Sequence, residues 1–331
     1  MSNAVEVQGL VKTYNKGEIK ALKGLDLVVP QGKVLGVLGP NGAGKTTAVS
    51  ILSTLLIPDA GQGVVAGYDL LKEPNKVREN IGLSGQFAAV DEILTGFENL
   101  HMFGRLYGMS NSEATARANE LLAMFNLTDA GNRPAKGYSG GMRRRLDVAG
   151  ALVARPQVIF LDEPTTGLDP QSRLGLWKTI RQLVADGASL LLTTQYLEEA
   201  DHLADSIVVI DHGEEIAAGT ADELKTQLGG DRVELTLTPG QSIEDAKSAL
   251  AQFASGEIQV NEEDAQLLFP VDGGTKTLTR VLNELESKNI ETIDAGLRRP
   301  TLDDVFLSLT GHTAEGDLIE KEEAADETEV V

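Results

Sequence analysis

The sequence predicts an α/β fold with a mainly parallel sheet, followed by a smaller α+β domain. An apolar run at 34–38 leads through the glycine-rich stretch 39–47 into helix-compatible residues. Strand-like and helix-like segments alternate over the first ~230 residues, which is typical of α/β domains. A second apolar run, 158–161, suits a central parallel strand and ends in two acidic residues. Because α/β sheets bind ligands at the carboxyl ends of their strands, we expect a functional site there.

The glycine-rich stretch fits the pattern G-x-x-x-x-G-K-[ST], known as the P-loop. Its glycines let backbone N–H groups point into one concavity, where they and the following helix N-terminus favour phosphate. The lysine adds a positive charge at the β- and γ-phosphates, and the hydroxyl of Thr46 can bind Mg²⁺. A glycine turn with a chance lysine is the alternative, which the strand before and the helix after disfavour. The predicted nucleotide-binding residues are Gly39, Pro40, Asn41, Gly42, Ala43, Gly44, Lys45, Thr46 and Thr47.

Length, composition and charge limit the classes of protein that fit this chain. Its 331 residues allow two domains, and the absence of cysteine excludes disulfides and thiolate metal sites. The net charge of −21 argues against a nucleic-acid partner held mainly by phosphate contacts. No N-terminal stretch matches a signal peptide and no run approaches the ~18–20 apolar residues of a membrane span, so we expect a soluble chain.

The segments around the P-loop continue the alternation. Apolar runs at 5–11 and 25–29 are predicted as strands, and Tyr14 falls in the loop between them. Tyr14 lies about as far ahead of the P-loop as an adenine-stacking residue should, although a lone loop tyrosine is usually a surface aromatic. A further strand, 81–84, is predicted to end just before Gln86.

Two helices are predicted after Gln86, at 97–107 and 113–125. The second follows Ser110-x-x-Glu113, a capping-box pattern. We expect these helices to form an insertion within the α/β domain.

A second glycine-containing segment, Ser139-Gly140-Gly141, begins a helix that is predicted to run through residue 154. Its backbone amides make a second candidate anion site by the same physics as the P-loop. The three arginines at 143–145 are expected on a solvated or ion-paired face, because three consecutive residues cannot share one helix face.

Asp162 and Glu163 follow the predicted strand 158–161. Adjacent acids at this edge suggest a metal ligand followed by a catalytic carboxylate. The alternative is a helix-capping aspartate beside a solvent-exposed glutamate. Asp169-Pro170 then predicts the start of a helix through residue 185, since proline suits the first helical turn.

The rest of the first domain is predicted to close the sheet. A strand at 189–193 is followed by Thr194 and Gln195 before a helix begins at Tyr196. Apolar runs at 207–210 and 215–218 predict a hairpin, and 220–228 predicts a last helix.

From residue 232 the predicted order is strand, helix, strand, strand, helix, strand, which is the ferredoxin-like plan. Thr301-x-x-Asp304 then matches a capping box before a terminal helix. We expect a first domain at 1–229 and a second at 230–311. Residues 312–331 carry eight acids, one lysine and no aromatic residue, so an acidic, disordered tail is expected.

Together these segments resemble the motifs of the ATP-binding cassette (ABC) family, in the family's order. The resemblance implies a P-loop ATPase with a RecA-like core, a β subdomain and a helical insertion, and with ATP and Mg²⁺ as ligands. It implies that Gln86 and Asp162 reach Mg²⁺, with Gln86 also facing a membrane partner. Glu163 matches the carboxylate that polarises the attacking water.

The resemblance also implies a site shared between two chains. Ser139, Gly140 and Gly141 match the core of the signature motif, which binds the γ-phosphate held by the opposite protomer. Asp169 matches the D-loop and is counted with the nucleotide-binding residues.

Over its length to about residue 311, the chain is most similar to the ATP-binding subunits of daunorubicin- and doxorubicin-resistance exporters, with supporting matches at 192–200 and 297–307. Tyr138 and Met142 replace the usual leucine and glutamine of the signature motif and leave its serine and glycines intact. Gln195 stands where most members have the switch histidine. We expect Gln195 to position the γ-phosphate or the attacking water without carrying a proton, a helix-capping role being the alternative.

The family likeness implies an ATPase that dimerises head-to-tail and powers the efflux of a drug through a separate, polytopic membrane subunit. It would then act at the cytoplasmic face of the cell membrane, without a nucleic-acid partner. One alternative is a soluble ABC ATPase acting on a nucleic-acid or translation complex, although such proteins usually carry two cassettes or a long coiled coil. Another is a nucleotide-binding regulator without turnover, against which Glu163 argues.

Overall fold

A computed structural model describes residues 2–86, 89–227, 231–261, 264–298 and 300–310. The chain forms two compact units, of which the first ends at Ala221 and the second begins at Asp222. The domain boundary predicted after residue 229 and the tail predicted at 312–331 lie outside the described residues. In the described ranges, no helix has the length and apolar character needed to cross a membrane.

The first unit contains ten strands and seven helices among its described residues. The strands are β1 (Asn3–Tyr14), β2 (Ile19–Pro30), β3 (Val34–Leu38), β4 (Ala60–Val65), β5 (Tyr68–Asp69), β6 (Ile81–Ser84), β7 (Val158–Asp162), β8 (Ser189–Thr194), β9 (Ser206–Asp211) and β10 (Glu214–Gly219). The helices are α1 (Lys45–Leu52), α2 (Pro74–Asn80), α3 (Gly96–Leu106), α4 (Asn111–Met124), α5 (Gly140–Ala151), α6 (Pro170–Ala185) and α7 (Leu197–Leu203). A further helix, α8 (Ala221–Gln227), starts where the two units divide.

A six-stranded sheet in the order β10-β9-β3-β8-β7-β6 forms the centre of the first unit. All its pairs are parallel except β9 with β10, which form the predicted hairpin. Every residue of β3, β7 and β8 is buried, as expected for parallel strands that are covered on both faces. The carboxyl ends of β3, β6, β7 and β8 therefore meet at one edge.

A second, antiparallel sheet has the order β2-β1-β4-β5 and packs in one core with α1. Its strands β1 and β2 are longer than the runs predicted at 5–11 and 25–29, because they pair along their length through four register shifts. Tyr14 is the last residue of β1, so its predicted position in a loop is wrong. Strands β4 and β5 and helix α2 were not predicted from the sequence.

The predicted helical insertion is formed by α3 and α4, which pack with α5 around a shared core. The capping box before α4 is confirmed: the Ser110 N–H donates to Glu113 at 2.8 Å and the Glu113 N–H donates to Ser110 Oγ at 3.3 Å. Helix α3 begins with a second capping box, formed by Thr95 and Glu98, which the sequence analysis missed.

The second unit has a four-stranded antiparallel sheet in the order β12-β13-β11-β14 with its own hydrophobic core. Its elements are β11 (Arg232–Leu237), α9 (Ile243–Leu250), β12 (Gln259–Asn261), β13 (Gln266–Pro270), α10 (Thr275–Ser287), β14 (Thr292–Arg298) and α11 (Leu302–Thr310). The two β-α-β segments interleave, since β13 lies between β11 and β12 while β11 lies between β13 and β14. This arrangement confirms the ferredoxin-like prediction.

Candidate active site

The P-loop joins β3 to α1, and a side chain at Gly39 or Gly44 in this loop would clash with neighbouring backbone. Gly44 has φ +109°, and a Cβ there would lie 2.5 Å from the Ala21 carbonyl oxygen. A Cβ on Gly39 would lie 2.4 Å from the carbonyl oxygen of Ile210. Because Gly44 is also the N-cap of α1, no side chain caps this helix. Its first N–H groups are therefore left for a ligand.

A cavity of about 220 Å³ opens at this helix terminus. All but one of its lining residues were predicted as site residues from the sequence; the exception is Ala21 on β2, which no sequence motif marks. Gly39, Pro40 and Ala43 belong to the P-loop but do not line the cavity. The lining residues are Ala21, Asn41, Gly42, Gly44, Lys45, Thr46, Thr47, Gln86 and Glu163.

Lys45 lies at the floor of this cavity with only 4% of its side chain exposed. Its Nζ donates to the carbonyl oxygens of Gly39 at 2.7 Å and Pro40 at 3.1 Å, and lies 3.4 Å from Glu163 Oε1. Burial lowers the pKa of the Lys45 ammonium, and the charge of Glu163 opposes that shift. A buried carboxylate thus pairs with the cation that would meet a phosphate.

Glu163 has a left-handed backbone conformation, with φ +48°, which is uncommon for a residue other than glycine. Its N–H donates to both the carbonyl oxygen and the Oγ1 of Thr193 on β8, each at 3.1 Å. Its Oε2 accepts a hydrogen bond from Thr166 at 3.4 Å. The side chain is buried, so the predicted alternative of a solvent-exposed glutamate is wrong. Such strained backbone commonly occurs at functional sites.

Asp162 ends β7 and is also buried, with its Oδ1 accepting a 2.5 Å hydrogen bond from Thr193 Oγ1. Among the described residues, no group of three or more His, Cys, Asp or Glu side chains could hold a metal ion. One carboxylate with the oxygens of Thr46 and Gln86 nevertheless fits Mg²⁺, which commonly binds one or two carboxylates together with substrate phosphates. Thr46 and Gln86 line the cavity. Asp162 immediately precedes the lining residue Glu163 in sequence but does not itself line the cavity.

Gln195 follows β8 at the same edge of the sheet and is 8% exposed. Its buried Oε1 has no hydrogen-bond partner within the described part of the chain. No side chain caps α7 at Tyr196, so the structure gives no support to a capping role for Gln195. An unpaired buried amide oxygen calls for a partner, which a bound ligand or water could supply.

Tyr14 lies beside the end of the P-loop rather than in the cavity lining. Its hydroxyl is 3.4 Å from Thr47 Oγ1, and the residue is 38% exposed. An exposed ring at this position leaves a face available to a base.

The second predicted anion site, Ser139-Gly140-Gly141, supplies no residue to the cavity. Ser139 caps α5 itself, accepting a hydrogen bond from the Met142 N–H at 3.2 Å. A Cβ on Gly141 would lie 2.5 Å from Ser172 Oγ, which in turn donates to Asp169 at 2.6 Å. Hydrogen bonds from Ser172 lower the pKa of Asp169. The D-loop residue therefore caps α6 and does not reach the cavity.

The arginines of α5 differ from one another. Arg143 pairs with Glu92 at 3.0 Å on the surface, as expected. Arg144 is only 8% exposed and pairs with Asp147 at 3.3 Å, so of the two predicted settings it is ion-paired and not solvated. Its guanidinium is hydrogen-bonded to several backbone carbonyls, which sequence spacing could not reveal.

Comparison with known proteins agrees with this geometry in both units. A family model for ABC transporters matches residues 22–166, and one for the C-terminal domain of DrrA1-3-like ATP-binding proteins matches residues 219–310. The daunorubicin resistance ATP-binding protein DrrA2 of Streptomyces coeruleorubidus is 52% identical over 322 residues, which cover 97% of this chain and 99% of that protein.

Two further likenesses cover the full chain and the first unit respectively. The daunorubicin/doxorubicin resistance ATP-binding protein DrrA of Streptomyces peucetius is 49% identical over 329 residues, 99% of this chain and 98% of that protein. A solved dimeric ATP-binding cassette in a post-hydrolysis state, bound to ADP and Pi, is 28% identical with a TM-score of 0.61, over 65% of this chain and 98% of that one. The chain therefore belongs to the ABC transporter family, as an ATP-binding and ATP-hydrolysing protein of the DrrA type.

Proposed function

We propose that this chain is the ATPase subunit of a drug exporter and that its hydrolytic centre lies at the carboxyl edge of the central sheet. The observation that carries the proposal is the buried Lys45–Glu163 pair inside the P-loop cavity. A phosphate that enters the cavity competes with Glu163 for Lys45. The carboxylate released in this way is free to accept a proton from water.

The other side chains at this edge have distinct proposed roles. Thr46, Gln86 and Asp162 would hold Mg²⁺, which supplies charge stabilisation at the phosphates when bound. Thr193 orients both Asp162, through its hydroxyl, and the backbone of Glu163. Gln195 would hold the attacking water through its unpaired Oε1, as an acceptor, or the γ-phosphate through its Nε2, as a donor, and Tyr14 offers its ring to the adenine.

The signature segment is proposed to act on the ATP of a second copy. Ser139, Gly140 and Gly141 do not line the chain's own cavity. A P-loop alone leaves the γ-phosphate incompletely surrounded, and a second helix N-terminus opposite it would complete the electrostatic shell. Head-to-tail pairing of two copies then creates two equivalent ATP sites, each formed by the P-loop of one copy and the signature segment of the other.

The membrane partner is proposed to be a separate polytopic subunit that contacts this chain near Gln86 and the α3–α4 insertion, at the cytoplasmic face of the membrane. The relatives named for daunorubicin and doxorubicin resistance support a drug as the exported substrate. No nucleic-acid partner is expected for a chain of net charge −21.

Export is tested by measuring daunorubicin accumulation in cells that express this chain together with its proposed polytopic membrane subunit. Co-expression is expected to lower accumulation, and Lys45→Ala to abolish the decrease. The matched control is Lys33→Ala, which removes a surface lysine paired with Asp205. If Lys45→Ala cells extrude the drug as wild-type cells do, the proposal fails.

A further inference from the structure

Arg144 on α5 connects two separate segments of the active-site edge. Its Nη1 donates to the carbonyl oxygen of Gly85 at 2.6 Å, immediately before Gln86. Its Nη2 donates to the carbonyl oxygens of Asp162 at 2.8 Å and Glu163 at 3.1 Å, and its Nε donates to that of Pro164 at 2.9 Å. The planar guanidinium thus fixes the ends of β6 and β7 from one side chain.

Asp147, one helical turn further along α5, accepts hydrogen bonds from residues on both sides of Gln86 in the sequence. Its Oδ1 accepts the N–H of Ala89 at 2.7 Å, and its Oδ2 accepts the hydroxyl of Ser84 at 2.6 Å. The same Oδ2 lies 3.3 Å from Arg144 Nη1, and both side chains are less than a tenth exposed. Gly85 and Ala89 are therefore both hydrogen-bonded to one ion pair.

We propose that Arg144 and Asp147 act together as positioning residues that couple the helix beginning at Ser139 to the placement of Gln86 and Glu163. A rotation of α5 would displace the Gly85 and Glu163 backbones together, because one guanidinium holds both. Neither residue lines the cavity, so both act through other groups. The inference rests on the proposed roles of Gln86 and Glu163, and the first experiment below tests the hydrogen bonds to Gly85 and Ala89 independently of those roles.

Alternatives to a coupling role are less consistent with the contacts. Any buried arginine must satisfy its N–H donors, so the number of its hydrogen bonds does not by itself indicate a role, and a buried pair of charges is by itself weak evidence of stabilisation. The N–H donors of Arg144 bind backbone carbonyls at or next to two proposed active-site residues, Gln86 and Glu163. Lysine cannot reproduce that fork of donors, so Arg144→Lys keeps the positive charge and nearly the same volume while it removes the planar set of donors.

The first experiment is amide hydrogen exchange of the full chain without nucleotide, read in peptides that cover residues 84–90. Asp147→Asn and Arg144→Lys are expected to speed exchange there by roughly tenfold, because a charge-assisted hydrogen bond is lost. Peptides from β8 should be unchanged. The matched control is Arg117→Lys on α4, whose guanidinium donates to the Leu152 and Val153 carbonyls and pairs with Glu120. Unchanged exchange at 84–90 in both test variants would show that Arg144 and Asp147 do not hold the backbone around Gln86.

The second experiment separates kcat from KM for ATP hydrolysis in the same variants. Arg144→Lys and Asp147→Asn should each lower kcat by roughly 10- to 100-fold while KM changes by less than about threefold, because they act on groups around the reacting phosphate. The double variant should lose no more than the worse single variant, since the two residues act as a unit. Arg117→Lys should stay within about twofold of wild type. Wild-type kcat in Arg144→Lys, or losses that appear equally in Arg117→Lys, would overturn the coupling. Should Arg144→Lys fail to fold, Asp147→Asn alone decides the question in both experiments.

Discussion

The helices α1 and α5 both begin at a glycine-containing segment, yet their N-termini are capped differently. Helix α1 is preceded by Gly44, which offers no side chain, and its terminus faces a cavity that also holds Lys45 and Glu163. Helix α5 is capped by the hydroxyl of its own Ser139 and adds no residue to that cavity. The first terminus therefore combines a cation with uncapped backbone amides within one chain.

This difference indicates why one chain carries two such termini. The α1 terminus has a cation, a buried carboxylate and a wall of backbone amides in one place. The α5 terminus has exposed donors and no cation of its own in the cavity, so it can complete a site only by approaching a ligand held elsewhere. The predictions below test that division of roles.

The largest effect is expected from Glu163→Gln. Loss of the proposed base should lower kcat by roughly 10²- to 10⁴-fold. ATP affinity should hold or rise, because the carboxylate 3.4 Å from Lys45 no longer opposes a phosphate. The result to look for is an ATP-dependent dimer in gel filtration, with Glu198→Gln, which changes an exposed glutamate near Arg173, as the control. Near wild-type hydrolysis, or no gain in dimer, would remove Glu163 from the role.

Gln195→Ala is expected to lower turnover by roughly 10²- to 10³-fold, since one donor at a developing charge is lost, while ATP binding remains largely intact. Gln195→His should retain activity and add a pH dependence near the ordinary histidine pKa of ~6.5, which glutamine cannot give. The pH profile of kcat distinguishes the two variants. Wild-type turnover in Gln195→Ala would show that the unpaired amide oxygen serves no catalytic partner.

Lys45→Ala should weaken ATP binding itself, by roughly 10- to 100-fold in Kd, because a charge-assisted contact to phosphate is removed. Titration calorimetry measures this directly. The loss should exceed that of any substitution in 139–141 on the isolated chain, which the proposal assigns to a partner's ATP. If substitutions at the α1 and α5 termini reduced ATP affinity equally, the proposed division of roles between the two termini would be wrong.

Ser139→Ala has the smallest expected effect, about 1 kcal/mol of unfolding free energy from the lost cap and roughly a tenfold loss of turnover. Ser110→Ala is the matched control, because Ser110 caps α4 in the same way away from the cavity. Thermal unfolding should be affected alike in the two variants. Turnover should fall only in Ser139→Ala, and a similar fall in Ser110→Ala would assign both effects to stability.

Much of the fold could be predicted from local pattern. Helix α6 spans Pro170–Ala185, matching the predicted start at the proline and end at residue 185. The apolar runs of β3, β7 and β8 identified central strands, because burial on both faces removes polar alternation. The antiparallel strand β4 was not predicted, since its alternating glycine and polar residues carry little hydrophobic signal.

Within the site, the sequence identified the residues but not their pairing. Lys45 and Glu163 are far apart in sequence, and their contact depends on the parallel order of β3, β8 and β7. The burial of Arg144 depends on backbone carbonyls from β6 and β7, which have no sequence signature. The left-handed backbone of Glu163 is likewise imposed by Thr193 on the neighbouring strand. Tertiary context decided each of these features.

The most direct test of the account mixes two inactive variants and measures ATP hydrolysis. Lys45→Ala removes the cation of the P-loop, and Ser139→Arg obstructs the signature segment at an exposed residue without filling the chain's own cavity. In a head-to-tail dimer, each mixed pair has one ATP site in which both elements are intact. About half of the dimers are mixed at equal mixing, so hydrolysis should recover to as much as about a quarter of the wild-type rate. If the mixture hydrolyses ATP no faster than the two variants do separately, the signature segment does not complete the partner's site and the central claim is wrong.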